Sequence, residues 1–264
     1  MAVETREQLA SFVGRGGELE TLAAALERAR AGRGRLVALT GEAGIGKTRL
    51  VEELIRGSAL SADRVIWGRC LEQPGAPSYW PWIRVLRGLA AVRGLEQLRA
   101  DLGADVALVA PLLPGLSAGG ASPSGAPPAF GDAEARFLLF EALTGLLRSA
   151  SRAEPLLVIL EDVHWADEAS QALLEFVSQE LDGTRLLLVV TYRDREQKRL
   201  PRPLSEAVRR GHRIALGGLD RDAVAAIMAE ATGGDASAPV VETAGRDHRG
   251  QSLLPERGIA NLVA

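Results

Sequence analysis

Eight consecutive residues, Gly41-Glu42-Ala43-Gly44-Ile45-Gly46-Lys47-Thr48, satisfy the pattern G-x-x-x-x-G-K-[ST] at every position. An apolar run, Leu36-Val37-Ala38-Leu39, precedes them, and Leu50, Val51, Leu54 and Ile55 follow on one face of a helical pattern. This strand, loop and helix context is what the pattern requires. Glycines let backbone N–H groups turn inward around a di- or triphosphate, and a helix N-terminus adds partial positive charge. Lys47 is placed to reach the outer phosphates, and the Thr48 hydroxyl to take one position on Mg2+.

A Gly-rich turn with no ligand is the competing explanation, and composition weighs against it. Of 31 basic residues only Lys47 and Lys198 are lysine. A chain that uses arginine wherever a generic cation suffices has put a compact point charge on a flexible stem at this one position of the loop.

The formal charge of −3 and pI near 5.8 give no basic footprint that would demand a nucleic-acid partner. One cysteine, Cys70, excludes an internal disulfide framework and a cysteine metal cluster, and reads as a small buried thiol beside a strand end. No apolar run approaches the roughly 18 residues of a membrane span, and the start carries no secretion signal. A cytoplasmic protein is the default expectation.

Along the chain, a helix is expected from about Gly17 to Ala31, then the strand from Arg35 into the loop, then a short strand from Arg64 to Gly68. Tyr79-Trp80-Pro81-Trp82 reads as a turn leading into helical pieces up to about Ala110. Pro111 to Pro128 reads as a long loop. A helix near Asp132 to Ser149 leads to Leu156-Leu157-Val158-Ile159-Leu160, an apolar run of buried parallel-strand type. A helix from about Glu168 to Leu181 precedes a further run, Leu186 to Thr191, with His212 to Leu216 as one more strand and Asp220 to Ala231 as one more helix. Strands alternating with helices predict an α/β domain of three layers around a mainly parallel sheet.

A phosphate loop needs acids at the end of a neighbouring strand to hold Mg2+ and orient water. Glu161 and Asp162 follow an uncharged strand and fill that need. The sequence leaves open which does which, and the reading favours Asp162 on the metal side with Thr48. His164 reads either as a phosphate or water contact or as a loop histidine. Asp167 reads as the N-cap of the next helix, and Trp165 as packing. Arg193 closes the next strand, which in a parallel sheet puts it on the edge that carries Gly41, where it can report a terminal phosphate.

The ordered set Phe12-Val13-Gly14-Arg15 with Glu18, the loop, Leu160 to Asp167 (L-E-D-V-H-W-A-D) and Thr191-Tyr192-Arg193 resembles an AAA-type ATPase domain. More narrowly it resembles the signal-transduction (STAND) ATPases, often described as origin-recognition-complex-like, at the head of large LuxR-type transcriptional regulators and of some adenylate cyclases. The resemblance covers about residues 11 to 243. It implies that Val13, Gly14 and Arg15 lie near the adenine and that Gly41 to Thr48 hold phosphates and Mg2+. It gives Glu161 and Asp162 to metal and water and makes Arg193 the phosphate sensor. No guanine-reading N-K-x-D segment occurs, so ATP and ADP are the expected nucleotides. Such domains work as switches in which ADP and ATP favour different packings of the core and a helical lid.

The implied organisation is a tail at 1–10, a nucleotide-binding domain at 11–216, a partial helical lid at 217–243 and an aberrant or disordered tail at 244–264. After the lid helix the family usually continues with a Gly-Asn-Pro-Phe-Phe segment that this chain lacks. A nucleotide sequence that encodes Asp247 to Gly258 spells Thr-Thr-Glu-Gly-Asn-Pro-Phe-Phe-Leu-Ser-Glu when read one base later, so a frameshift between about Thr243 and Asp247 is the expectation. The lid would then be incomplete, nucleotide affinity weak and hydrolysis slow. Specific DNA binding by this chain is not expected, while self-association or protein partners of a signalling complex are. The alternatives are an AAA machine or loader working as a ring, a small-molecule kinase, and a catalytically silent nucleotide-binding module.

Overall fold

The computed structural model describes residues 13–72, 75–117, 133–193 and 200–231. It divides into a main unit, Glu18–Leu216, and a smaller one built from the two chain ends, Met1–Gly17 with Gly217–Ala264. The segments 1–10 and 244–264 named above lie wholly outside the described residues, the expected loop at 111–128 is described only to residue 117, and the lid at 217–243 only to residue 231.

In the main unit, α1 (Gly16–Arg30, which begins in the smaller unit) leads to β1 (Arg35–Gly41) and α2 (Lys47–Gly57). Then come β2 (Val65–Arg69), α3 (Trp80–Arg93), α4 (Leu95–Leu102), α5 (Val106–Val109) and α6 (Ala133–Ala150). The order closes with β3 (Leu156–Glu161), α7 (Glu168–Gln179), β4 (Leu186–Arg193), α8 (Arg202–Arg210) and β5 (His212–Ala215). The strands form one five-stranded sheet in the order β2-β3-β4-β1-β5, and every neighbouring pair is parallel. This is the α/β architecture of a P-loop nucleotide-binding fold.

All six residues of β3 and the first seven of β4 are buried, which requires cover on both faces of the sheet. Alternation sorts them. Leu156, Val158 and Leu160 join Leu186, Leu188, Val190 and Tyr192 in the large core shared with α3, α4, α6 and α7. Leu157, Ile159, Leu187 and Val189 point to the other face, which also carries Val37 and Leu39 of β1. Because a strand alternates strictly, Glu161 and Arg193 share this second face. That parity decides the site.

Three local expectations change. The Tyr79 to Trp82 segment is a helix start rather than a turn. Tyr79 takes a left-handed backbone (φ 64) and its N–H donates to Asp167 Oδ2 at 3.2 Å, while Pro81 sits in the first turn of α3, where a missing N–H costs nothing. Trp82 is buried and its indole N–H donates to the Ser170 carbonyl at 3.0 Å. The opening of the expected loop at Pro111 is core instead: Leu112, Leu113 and Leu116 are buried, and the Arg99 guanidinium donates to the carbonyls of Gly115 and Leu116. Finally, α8, with Leu204 and Ala207 buried, was not evident from its Arg-rich sequence.

Arg64 supplies an unforeseen staple. It is nearly buried, and its guanidinium donates to the carbonyls of Ala150 (2.9 Å), Glu154 and Pro155 (3.1 Å), closing the end of α6 onto the entry to β3. Among the described residues no helix is long and apolar enough to cross a membrane.

Candidate phosphate site

The loop is built from the backbone upward. Gly44 (φ 73) and Gly46 (φ 97) take positive φ angles that side chains resist. At Gly41 the constraint is space: a Cβ would sit 2.8 Å from the Leu216 carbonyl oxygen and 2.9 Å from Ile45 Cγ2. Gly46 is also the N-cap of α2 and offers no side-chain cap, so the first-turn N–H groups face the loop.

The start of α2 is electrostatically wrong for a helix that only has to fold. It has no acid in its first turn, and its first residue is Lys47, a cation at the positive end of the dipole. That arrangement costs about 0.3–1 kcal/mol. By contrast α7 begins with Asp167 as N-cap, whose Oδ1 accepts from Ser170 N at 3.0 Å, followed by Glu168. Asp167 is therefore the cap that the sequence indicated. Lys47 is 8% exposed, and its Nζ donates to the carbonyls of Gly41 (3.0 Å) and Glu42 (2.8 Å). A buried ammonium beside converging N–H groups suits an anion.

Thr48 Oγ1 donates to Glu161 Oε1 at 2.6 Å, joining residues 113 positions apart. The other carboxylate oxygen lies 3.4 Å from Arg69 Nε, and Arg69 is opposite Glu161 in the β2–β3 register. Of the two acids that the sequence offered, Glu161 rather than Asp162 is the one in contact with Thr48. The reason is parity. Glu161 is the last residue of β3 and points to the same face as Leu157 and Ile159, whereas Asp162 has left the strand in a left-handed turn (φ 56). The Asp162 N–H donates to Thr191 Oγ1 of β4 at 3.0 Å, which fixes this turn, a conformation costing about 1 kcal/mol or more outside glycine.

Arg193 is opposite Gly41 in the β1–β4 register, on the expected edge. Its guanidinium, however, packs over the Trp165 ring at 5.9 Å and lies 3.8 Å from Glu72 Oε2. Trp165 is 39% exposed, so it is not the packing residue that the sequence suggested. Its ring also meets His164 at 5.1 Å. Arg69 and Glu72 carry no sequence signature of their own; β2, paired beside β3, brings them to this edge.

Cys70 follows β2, and its N–H donates to the Glu161 carbonyl at 3.0 Å. Burial, then the charges of Asp162, Asp167 and Glu161, push its thiol up to about 12. It is an inert core thiol.

Phosphate and Mg2+ fit these residues. The donor set next to the loop is hard oxygen, a hydroxyl and a buried carboxylate, as Mg2+ prefers. Among the described residues no group of three or more His, Cys, Asp and Glu side chains could hold a metal ion, so an ion here would depend on phosphate oxygens as well.

In the smaller unit, Gly14 (φ 78) approaches α9 (Arg221–Ala231) so closely that a Cβ would meet Ala223 Cβ at 2.5 Å. Arg15 is buried and donates to the Gly217 carbonyl, and three residues on the Asp220 carboxylate caps α9 through Ala223 N at 2.7 Å. Val13 precedes this pair and is partly buried.

The profile of the AAA ATPase domain family matches residues 11–190, more than half of the chain. This chain belongs to the AAA ATPase domain family. An uncharacterised protein, R02095, of Rhizobium meliloti (strain 1021) is 28% identical over 194 residues, covering 69% of this chain and 18% of that protein. The matched region is thus less than a fifth of that relative's length.

Among solved structures, the AAA domain is similar to the Aeropyrum pernix ORC1 protein in complex with DNA, at 17% identity and TM-score 0.48, over 85% of this chain and 50% of that one. It is also similar to the Aeropyrum pernix ORC2 protein in ADPNP–ADP complexes, at 20% identity and TM-score 0.44, over 84% and 52%. A third is domain III of the Thermotoga maritima replication initiation protein DnaA, at 17% and 0.40, over 88% and 75%. This chain spans about half the length of the two Aeropyrum proteins.

Proposed function

We propose that this AAA domain is an ATP-binding, slowly hydrolysing switch of a signal-transduction or transcription regulator of the STAND and LuxR type. The nucleotide-binding part is assigned to residues 11–216 and a lid to 217–243. The observation that carries the nucleotide reading is the Thr48–Glu161 contact at 2.6 Å beside a buried Lys47. It unites the loop with the acid that ends β3, two strands from β1 in the sheet, as phosphoryl transfer to water requires.

In this reading Gly41 to Thr48 bind the phosphates, with the α2 N-terminus and Lys47 supplying positive charge. Thr48 and Glu161 would hold Mg2+, which when bound neutralises charge on the phosphates. Asp162 orients the attacking water and accepts its proton. Arg193 answers to the terminal phosphate. Val13, Gly14 and Arg15 keep the adenine role that the family resemblance gives them. Strand parity, which sets Glu161 rather than Asp162 against Thr48, supports giving Mg2+ to Glu161.

Measuring ATP affinity with and without Mg2+ tests this. Glu161→Gln and Thr48→Ala should remove the Mg2+ enhancement, and Asp162→Asn should keep it while lowering hydrolysis. The reverse pattern between Glu161 and Asp162 would overturn the assignment.

Family membership also favours a second reading, an AAA machine that assembles as a ring. A nucleotide-dependent hexamer in a sizing experiment would support it over the switch.

A further inference from the structure

Arg193 is aligned with the phosphate loop by its backbone, while its guanidinium is engaged by Trp165 and Glu72. Gly41 of β1 is its partner in register. In the sheet β1 lies on one side of β4, while β3 and then β2 lie on the other. The guanidinium is found with residues that follow β3 and β2, namely Trp165 at 5.9 Å and Glu72 at 3.8 Å. Arg193 and Glu72 are both substantially exposed, with side chains 36% and 63% accessible, so this is a surface contact that a stronger partner can displace. Trp165 sits in a single 3-10 turn, Val163–Trp165, directly after Glu161 and Asp162.

We infer that Trp165 and Glu72 form a parking site that holds Arg193 off the phosphate loop and releases it to the terminal phosphate of ATP. The pair thereby sets how well the domain separates ATP from ADP. The inference rests on the reading of Arg193 as phosphate sensor.

The strengths fall in the right order. An exposed cation–π contact shifts an equilibrium about two- to fivefold and an exposed ion pair at 3.8 Å by less, so together they hold Arg193 by under about tenfold. A charge-assisted bond to a phosphate is worth about tenfold or more. ATP can therefore draw Arg193 across, whereas ADP, with no terminal phosphate, leaves it parked. The exchange also uncovers more of the Trp165 ring, which is already 39% exposed with Arg193 against it.

The test is equilibrium binding of ATP and ADP, each with Mg2+, to the full chain and to Trp165→Phe, Trp165→Ala, Glu72→Gln and Arg193→Ala. Emptying the parking site should tighten ATP about two- to tenfold and leave ADP unchanged. The gain should vanish when Arg193→Ala is added to either Trp165→Ala or Glu72→Gln. A purely structural role for Trp165 would weaken both nucleotides alike. Indole emission that differs between the parent chain and Trp165→Phe should change on adding ATP and not ADP.

If Arg193→Ala loses ATP preference but the parking variants gain none, the sensor reading stands and the parking site is refuted. If Arg193→Ala leaves the ATP to ADP ratio unchanged, the sensor reading itself fails and the parking site with it. Glu72→Gln, on an exposed side chain, keeps the test valid should Trp165→Ala fold poorly.

Discussion

Replacing Lys47 by alanine separates a phosphate-binding lysine from a structural one. Three effects act on the folded chain. The substitution removes the hydrogen bonds to the Gly41 and Glu42 carbonyls, worth about 1.5–3 kcal/mol each for a charged donor. It also relieves the desolvation of an ammonium that is 8% exposed, a cost of several kcal/mol. It relieves about 0.3–1 kcal/mol at the N-terminus of α2. These oppose one another, so intrinsic stability should change by no more than about 2 kcal/mol.

Nucleotide binding has no such compensation. Loss of a buried, charge-assisted contact costs about 2–5 kcal/mol, at least about thirtyfold in affinity. With free Mg2+–ATP at 100 times its Kd, linkage should stabilise the parent chain by about 2.7 kcal/mol. In a chain of this size that raises Tm by about 5–10 °C. At the same concentration Lys47→Ala should gain about 1 kcal/mol or less, a shift of about 2–4 °C at most. Thermal unfolding with and without nucleotide, checked by calorimetric binding, reads both quantities. An undiminished ATP shift in Lys47→Ala would refute the phosphate reading. An intrinsic loss above about 4 kcal/mol would make Lys47 a structural residue.

Arg64→Ala should destabilise the fold by about 3 kcal/mol in urea unfolding, because the carbonyls of Ala150, Glu154 and Pro155 lose their shared donor inside the protein. A loss below about 1 kcal/mol would mean that water replaces it. Cys70 should resist alkylation at pH 8 in the native state, since a thiol pushed up to about 12 has only about one thiolate in ten thousand molecules there. Its raised value also fixes a sign. The folded chain holds this proton more tightly than the unfolded one, so the stability it contributes is full below about 9 and is lost as pH rises toward about 12. Rapid labelling under native conditions, or a loss that comes only on acidification, would contradict the buried placement.

Much of the fold was legible because its signals are local. The loop, the apolar runs of β1, β3 and β4 and the cap Asp167 each declare themselves within a few residues. The segments that escaped did so for physical reasons. Leu112, Leu113 and Leu116 sit among prolines and glycines that read as loop, and the two buried residues of α8 are outnumbered by its arginines. Trp80-Pro81-Trp82 resembles a turn until Asp167, 88 residues after Tyr79, is seen to accept the Tyr79 N–H.

The site divides in the same way. The sequence by itself determined the chemical inventory, namely a glycine loop, one lysine, one threonine, two acids and an arginine on strands that must run parallel. Only the tertiary structure decided which acid meets Thr48 and where Arg193 rests. Both depend on which face of the sheet α2 covers and on which strand follows which in the order β2-β3-β4-β1-β5. A strand's sequence fixes that alternate residues share a face, but not which helix will lie on it. Sheet order is set by packing between segments far apart in the chain, and that order put Glu161 against Thr48 and turned the Arg193 side chain toward Trp165.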